Sequence, residues 1–266
     1  MIDKVHINQV HLEQREDRWM WTKRRRRGSR VLARGANCFF RLAGNPVFVV
    51  EDPWDWQQHE LASFRLLHGE GFLGFCGEGG SVWLERLPGL DLDTLNYQGR
   101  LTRWMFYAAG REFRRVHGLY SPRFQGPWSH GDPNFGNVIV DERNQRARLI
   151  DFETVHVKTL PPNERHADDV AVFLLDLVGG VAEEKLLEMA TAFLAGYDRP
   201  TIEQLAVGRL ALPSGWGRLW WGIRTEYAPA GVLRRRVALL RQGLASASAA
   251  TPFRSPLVIN PPYHRK

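Results

Sequence analysis

His130-Gly131-Asp132-Pro133-Asn134-Phe135-Gly136-Asn137 opens the stretch that decides the fold, and Asp151-Phe152-Glu153 closes it fourteen residues after Asn137. Asp132 and Asn137 lie five apart on a segment of Pro, Asn and Gly, the residues that turns demand. Asn137-Val138-Ile139-Val140-Asp141 then reads as a strand and Glu142 to Gln145 as a turn. Ala147-Arg148-Leu149-Ile150 reads as a second strand that delivers Asp151 at its end. Such a hairpin sets Asn137 beside Asp151 at one edge, with Asp132 facing them. Two carboxylates and a carboxamide so spaced suit a divalent cation and nucleotide phosphate. Mg2+ prefers hard oxygen ligands and takes one or two carboxylates alongside substrate phosphates. Asp151 fits as the main metal ligand and Asn137 as a neutral second one. Asp132 is left to accept the proton of an attacking hydroxyl.

Taken together and in this order, these elements resemble the catalytic core of the protein-kinase-like superfamily. The resemblance is to its bacterial small-molecule branch: aminoglycoside-phosphotransferase-like and choline-kinase-like enzymes and the lipopolysaccharide-core sugar kinases. It implies an α+β, two-lobed fold with a small, mostly-β N-lobe and a larger, mostly-α C-lobe. It also implies ATP and Mg2+ as cofactors, Asp132 as catalytic base, and Asn137 with Asp151 as metal ligands. The match is good over roughly residues 60 to 180 and loose elsewhere.

Length and composition agree with a globular chain. The 266 residues suffice for one large domain or two lobes, and 44% hydrophobic against 24% charged residues excludes a disordered chain. Cys38 and Cys76 alone give no disulfide framework, which suits a reducing compartment. Met1 to Trp21 lacks the apolar run of a secretory signal, and no stretch reaches membrane-spanning length, so a cytoplasmic location is expected. The formal charge of +7 gathers in Arg24 to Arg27 and Arg234 to Arg236. No zinc spacing, RNP element or recognition helix accompanies it, which argues against nucleic acid. A solvated basic face, an anionic acceptor or peripheral contact with the inner membrane surface remain open. Ten tryptophans are many for this length, and Trp216, Trp220 and Trp221 read as packing residues first and lipid contacts second.

Outward from the motif, Arg18 to Lys23 alternates as a strand with Trp19, Trp21 and Lys23 on one face. Ser29 reads as the cap of a helix over residues 30–42, with Val31, Gly35, Phe39 and Leu42 on its buried side and Gly44 ending it. Pro46 to Val50 is a strand. Trp56 to His68 is a helix in which Leu61, Phe64, Leu67 and His68 share a face and Glu60 lies near the first turn. Ser81 to Glu85 is a strand leaving through Arg86-Leu87-Pro88-Gly89. That exit resembles the family's crossing between lobes, which puts the boundary between an N-lobe, 1–88, and a C-lobe, 89–266. It makes Glu85 to Leu87 candidate adenine contacts. Leu101 to His117, His166 to Leu177 and Glu183 to Tyr197 are helices. Asp168 and Asp169 fall in the first turn of the second, where a carboxylate caps backbone amides, and the resemblance makes one of them a brace beneath the catalytic loop. The C-terminal stretch reads as helical, trailing into a mobile linker from Ser246 to Pro252.

The pattern departs from the family in the N-lobe. A strand Lys fixed by a helix Glu should hold the nucleotide phosphates. Glu60 is an acceptable helix Glu, but Val47 to Asp52 puts Glu51 where the Lys belongs. Lys23 is the preferred substitute, with Arg34 or Arg41 as alternatives, and Gly35-Ala36-Asn37-Cys38 is the nearest approach to a Gly-rich covering loop. Three functions follow. The first is a phosphotransferase acting on a hydroxyl of a small-molecule or carbohydrate acceptor, anionic if the charge is a guide, such as a lipopolysaccharide-core sugar. The second is a serine/threonine protein kinase, disfavoured by the short Val155 to Arg165 segment without Ala-Pro-Glu. The third is a pseudokinase-type binding module, disfavoured by the intact Asp132, Asn137 and Asp151.

Overall fold

The alternating segment at Arg18 becomes the second arm of a hairpin in the computed structural model, which describes residues 7–225 and 228–250. β1 (Asn8–Arg15) and β2 (Arg18–Arg25) pair antiparallel from Asn8 with Arg25 to Arg15 with Arg18. β1 escaped the sequence reading because its alternation is mostly polar, and seven of its eight residues are not buried. α1 (Ser29–Leu42), β3 (Val47–Val49), α2 (Pro53–His68), β4 (Gly74–Cys76) and β5 (Ser81–Glu85) follow. The first sheet runs in the order β1-β2-β5-β4, so β2 is central and Lys23 pairs with Val82.

α2 starts as its sequence dictates. Asp52 caps it by accepting from the amides of Trp54 and Asp55, and Pro53 occupies the first helical position. Glu60 is the eighth residue of α2, in mid-helix and not near the first turn, so its side chain is carried into the interior. Residue 89 is where the chain meets the next layer. Gly89 takes φ 116°, and a Cβ there would sit 2.1 Å from the carbonyl oxygen of Val140. This close approach lays the segment after β5 against the strand that follows Asn137.

Beyond it come β6 (Leu90–Asp91), α3 (Leu92–Tyr97), α4 (Arg103–Val116), the short pair β7 (Tyr120–Ser121) and β8 (Gly126–Pro127), β9 (Val138–Asp141) and β10 (Arg146–Leu149). β10, β9 and β6 form a three-stranded sheet. β9 and β10 confirm the expected hairpin, with Leu149 opposite Val138, although Asn137 ends a 3-10 turn and does not begin the strand. β11 (Thr154–His156) pairs with β3, which explains the misplaced Glu51: β3 is not a strand of the first sheet at all.

α5 (Pro162–Gly180), α6 (Glu183–Tyr197), α7 (Pro200–Gly208), α8 (Gly215–Arg224) and α9 (Ala230–Ala250) complete the described chain. The chain is thus α+β, strand-rich towards the N-terminus and helical beyond. α4 and α6 touch backbone to backbone because Gly110 and Gly196 present no side chain; a Cβ on Gly110 would lie 2.0 Å from the Phe193 oxygen. Phe113, Phe173 and Phe193 fill the core beside this contact, each fully buried and each contributing roughly 2 kcal/mol by removal from water.

Three further expectations are corrected. Gly28, not Ser29, is the N-cap of α1, and Ser29 is buried as its first residue. Val31, Gly35 and Leu42 do share a face of α1, but that face is exposed; Ser29 and Ala33 are the buried residues. The helix is held instead by Asn37, whose amide accepts from Val49 N at 2.7 Å and donates to Val49 O at 3.0 Å. Residues 246–250 of the expected linker belong to α9, and the rest lies outside the described residues.

Candidate active site

Lys23 is the hinge of the site's charge network. Its ammonium donates to Glu60 Oε1 at 2.6 Å and to Asp151 Oδ1 at 2.7 Å. Burial pulls the ammonium towards neutrality, but the Asp151 and Glu60 carboxylates outweigh it and hold its pKa above the ordinary value. Burial likewise opposes the charge on Asp151, and Lys23 outweighs it, keeping that carboxyl below its usual range. Glu60 spends its second oxygen on the amide of Phe152 at 3.0 Å, so one buried carboxylate fixes both Lys23 and the Asp151-Phe152 turn. Asp151 sits at φ 66°, a left-handed conformation that Asp tolerates better than most residues. A non-glycine residue held there marks a functional position to be tested.

Of the three candidate cations, Lys23 is the one bonded to both Glu60 and Asp151. Arg34 pairs with Glu51 at 3.0 Å on the surface, and Arg41 is exposed on α1. Gly35 is helical, so residues 35–38 form no covering loop. Arg25 was missed in the sequence. It stacks over Trp56 at 4.8 Å, donates to Val50 O at 2.8 Å and lies 3.8 Å from Glu153. The period-2 face of β2 that carries Trp21 and Lys23 also carries residue 25, and that signal was masked by the run of four arginines.

The segment from His130 to Asn137 is held from beneath by Asp169. Its carboxylate accepts from the amides of His130 at 2.8 Å and Gly131 at 2.7 Å, and from His117 Nε2 at 3.0 Å. Asp169 lies in the second turn of α5, so it caps this loop and not its own helix; Asp168 turns instead to His156 and Arg209. Burial opposes ionisation of Asp169, yet His156 and His117 drive its carboxyl far below the usual range. His130 Nε2 donates to Ile150 O at 2.9 Å while its Nδ1 accepts from the amide of Asp132 at 3.2 Å. Burial lowers the pKa of this imidazole below its ordinary value, the direction that favours the neutral ring the pairing requires. Gly131 adopts φ 92° where a Cβ would meet the Thr154 carbonyl at 3.0 Å. The loop is thus bound to both sides of Asp151, at Ile150 after β10 and at Thr154 where β11 begins.

Within the loop, Asn137 Nδ2 donates to the Asp132 carbonyl at 2.8 Å, which turns its Oδ1 the other way. Asn134 Nδ2 donates to Asp132 Oδ1 at 3.1 Å, and Asp176, missed in the sequence, accepts the amide of Phe135 at 2.8 Å. Lys23, Asn137, Asp151, Glu85 and Leu87 all line one cavity of about 320 Å3. Glu60 lies behind its wall, and Asp132, half-buried within the loop, is outside the lining. The Glu85 carboxylate is engaged with Arg18 at 2.5 Å and the amide of Leu73 at 2.8 Å.

Among the described residues no three His, Cys, Asp or Glu side chains form a metal cage of their own. Mg2+ does not need one, since substrate phosphates and water complete its octahedron. Asp151, with Lys23 on one oxygen only, and Asn137, with its amide nitrogen engaged, fit as hard oxygen ligands for it.

No protein-family model matches the chain, and no curated protein matches it. Among solved structures it is similar to the bifunctional kinase-methyltransferase WbdD, with 20% identity and a TM-score of 0.35 over 78% of this chain and 45% of that one. It is also similar to an ethanolamine kinase of Plasmodium vivax, with 8% identity and a TM-score of 0.41 over 91% of this chain and 84% of that one. The chain spans less than half the length of the WbdD chain it matches. Both superpositions are loose, and the functional reading stands on the geometry of the site itself.

Proposed function

We propose that this chain is an ATP- and Mg2+-dependent phosphotransferase acting on a hydroxyl of a small-molecule or carbohydrate acceptor. The observation that carries the reading is Lys23 bonded at once to a helix Glu and to Asp151 on the wall of a cavity shared with Asn137. In this reading residues 1–88 are an N-lobe over the nucleotide and 89–266 a C-lobe carrying the loop. The cavity takes the nucleotide, its purine lying against the backbone of Glu85 to Leu87 because the Glu85 carboxylate is engaged elsewhere. The ammonium of Lys23 steadies the phosphates, and Glu60 holds it in place. Asp151 and Asn137 would hold Mg2+, which when bound neutralises charge on the phosphates. Asp132 accepts the acceptor's hydroxyl proton as that oxygen bonds to the γ-phosphorus and the bond to the departing ADP oxygen breaks. Positioning and charge neutralisation supply most of the acceleration. The net charge of +7 favours an anionic acceptor, such as a phosphorylated sugar of the lipopolysaccharide core, and the ATP supply and two free cysteines favour a cytoplasmic setting.

Thermal-shift measurements with Mg-ATP, Mg-GTP, and ATP plus EDTA test the reading. Ligand at about a hundred times Kd stabilises by roughly 2.7 kcal/mol, so Mg-nucleotide should raise the melting temperature and EDTA should abolish the rise. No rise with either nucleotide sinks the proposal.

A further inference from the structure

α1 exposes the face that its sequence marks as apolar. Val31, Gly35, Cys38 and Leu42 follow one another at i, i+4, i+7 and i+11, so they form one stripe, and all four are exposed. Val31 is 72% and Leu42 58% accessible, although an amphipathic helix ordinarily turns such residues inward. The stripe does not end with the helix. Phe39 meets Trp216 of α8 edge to face at 6.3 Å, and Trp216 and Leu219 are themselves 55% and 43% accessible. Two helices distant in sequence thus join one exposed apolar surface, the kind of patch that marks an interaction site.

The charge around it is mostly positive, with Asp52 and Glu51 the carboxylates at its edge, paired with Arg30 and Arg34. Residues 18–50 hold nine Lys and Arg and no Asp or Glu, and residues 204–225 hold no carboxylate side chain either. Arg30, Arg34 and Arg41 run along the flank of the stripe, the first two partly neutralised by Asp52 and Glu51, while Arg26 and Arg27 just before α1 and Arg218 on α8 are exposed as well. Aromatic and aliphatic side chains edged by arginines are the composition of a helix lying in a membrane interface. No described helix is long and apolar enough to cross a bilayer, so such contact would be made from the surface. A second copy of the chain is a poorer occupant, because a two-fold contact would set the arginine rows against each other.

We infer that the α1–α8 face docks on a bilayer surface carrying anionic lipid. The inference does not depend on the proposed phosphotransfer. The test is sedimentation of the full chain with vesicles of phosphatidylcholine, with and without phosphatidylglycerol. The chain should pellet with the anionic vesicles only, and high salt should release it. Val31→Glu with Leu42→Glu should weaken partitioning by about tenfold or more, since each places a charge in the exposed stripe that docking would bury. Both positions face solvent, so the melting temperature should hold. Should the double variant fail to fold, Arg41→Glu alone should still weaken the anionic preference, by roughly several-fold. A fluorophore on Cys38 in a Cys76→Ser background should shift to the blue with anionic vesicles. Pelleting indifferent to lipid charge, no pelleting, unchanged binding by the variants, or a dimer that the variants dissolve would each overturn the inference.

Discussion

Asp132 is the residue whose role rests most on chemistry and least on contact. It is half-buried, takes a hydrogen bond from Asn134 and lends its carbonyl to Asn137. If it is the base, Asp132→Ala should lower ADP release in turnover by roughly 10²- to 10⁴-fold while leaving the affinity for Mg-ATP unchanged; equal turnover removes it from the mechanism. Glu153 offers a test by pH. Burial, then the neighbouring Asp151 charge, push its carboxyl up to about 8 from 4.5. Between those values the folded chain keeps a proton that the unfolded chain gives up, so this residue lowers stability as pH rises through the window. Glu153→Gln should therefore flatten the fall in urea midpoint between about pH 5 and pH 8 and raise the melting temperature most at pH 8. An unchanged slope would show that the carboxyl ionises freely. Asp132, Asn137 and Asp151 could be singled out in the sequence because side-chain type and spacing point to them, and Glu60 because the resemblance calls for a helix Glu. Arg25, Asp176 and the linkage of Glu153 to Asn8 were not, because each depends on partners far off in the chain.

At the scale of elements, the loop's geometry is held by one buried carboxylate. Asp169→Ala leaves the amides of His130 and Gly131 without their acceptor, and each buried unpaired amide costs about 1–3 kcal/mol. Urea unfolding should show a loss of about 3 kcal/mol or more, with turnover falling although Asp132 is untouched. Full stability in the variant would mean that water or a neighbouring group replaces the acceptor. Strand and helix existence was read well where the signal was local: the hairpin after Asn137, the strand Ser81 to Glu85 and the helix Glu183 to Tyr197 all stand where expected. The failures share one cause. β3 looked like the strand of the lysine because it precedes the helix of Glu60, but its partner, β11, lies over a hundred residues onward, and pairing across that distance leaves no local trace. The face of α1 was misjudged for a related reason: periodicity reveals which residues lie together, not which way the face turns.

Across the whole molecule, the first sheet brings Lys23 and the second sheet with its loop brings Asn137 and Asp151 to one cavity, while α2 sets Glu60 behind Lys23. The class of fold was legible because a strand-rich beginning and a helical end announce themselves by pattern. The closure of the site was not, because it hangs on Gly89 meeting Val140 and on Lys23 crossing to residue 151. The central claim is that this convergence binds nucleotide through a metal. Calorimetric titration of ATP into the wild-type chain and into Asp151→Ala, with and without Mg2+, tests it most directly. Magnesium should strengthen binding to the wild type by tenfold or more, and Asp151→Ala should erase that gain, as expected of a principal ligand to a hard cation. ATP binding of the same strength in all four titrations, or no binding in any, would contradict the account.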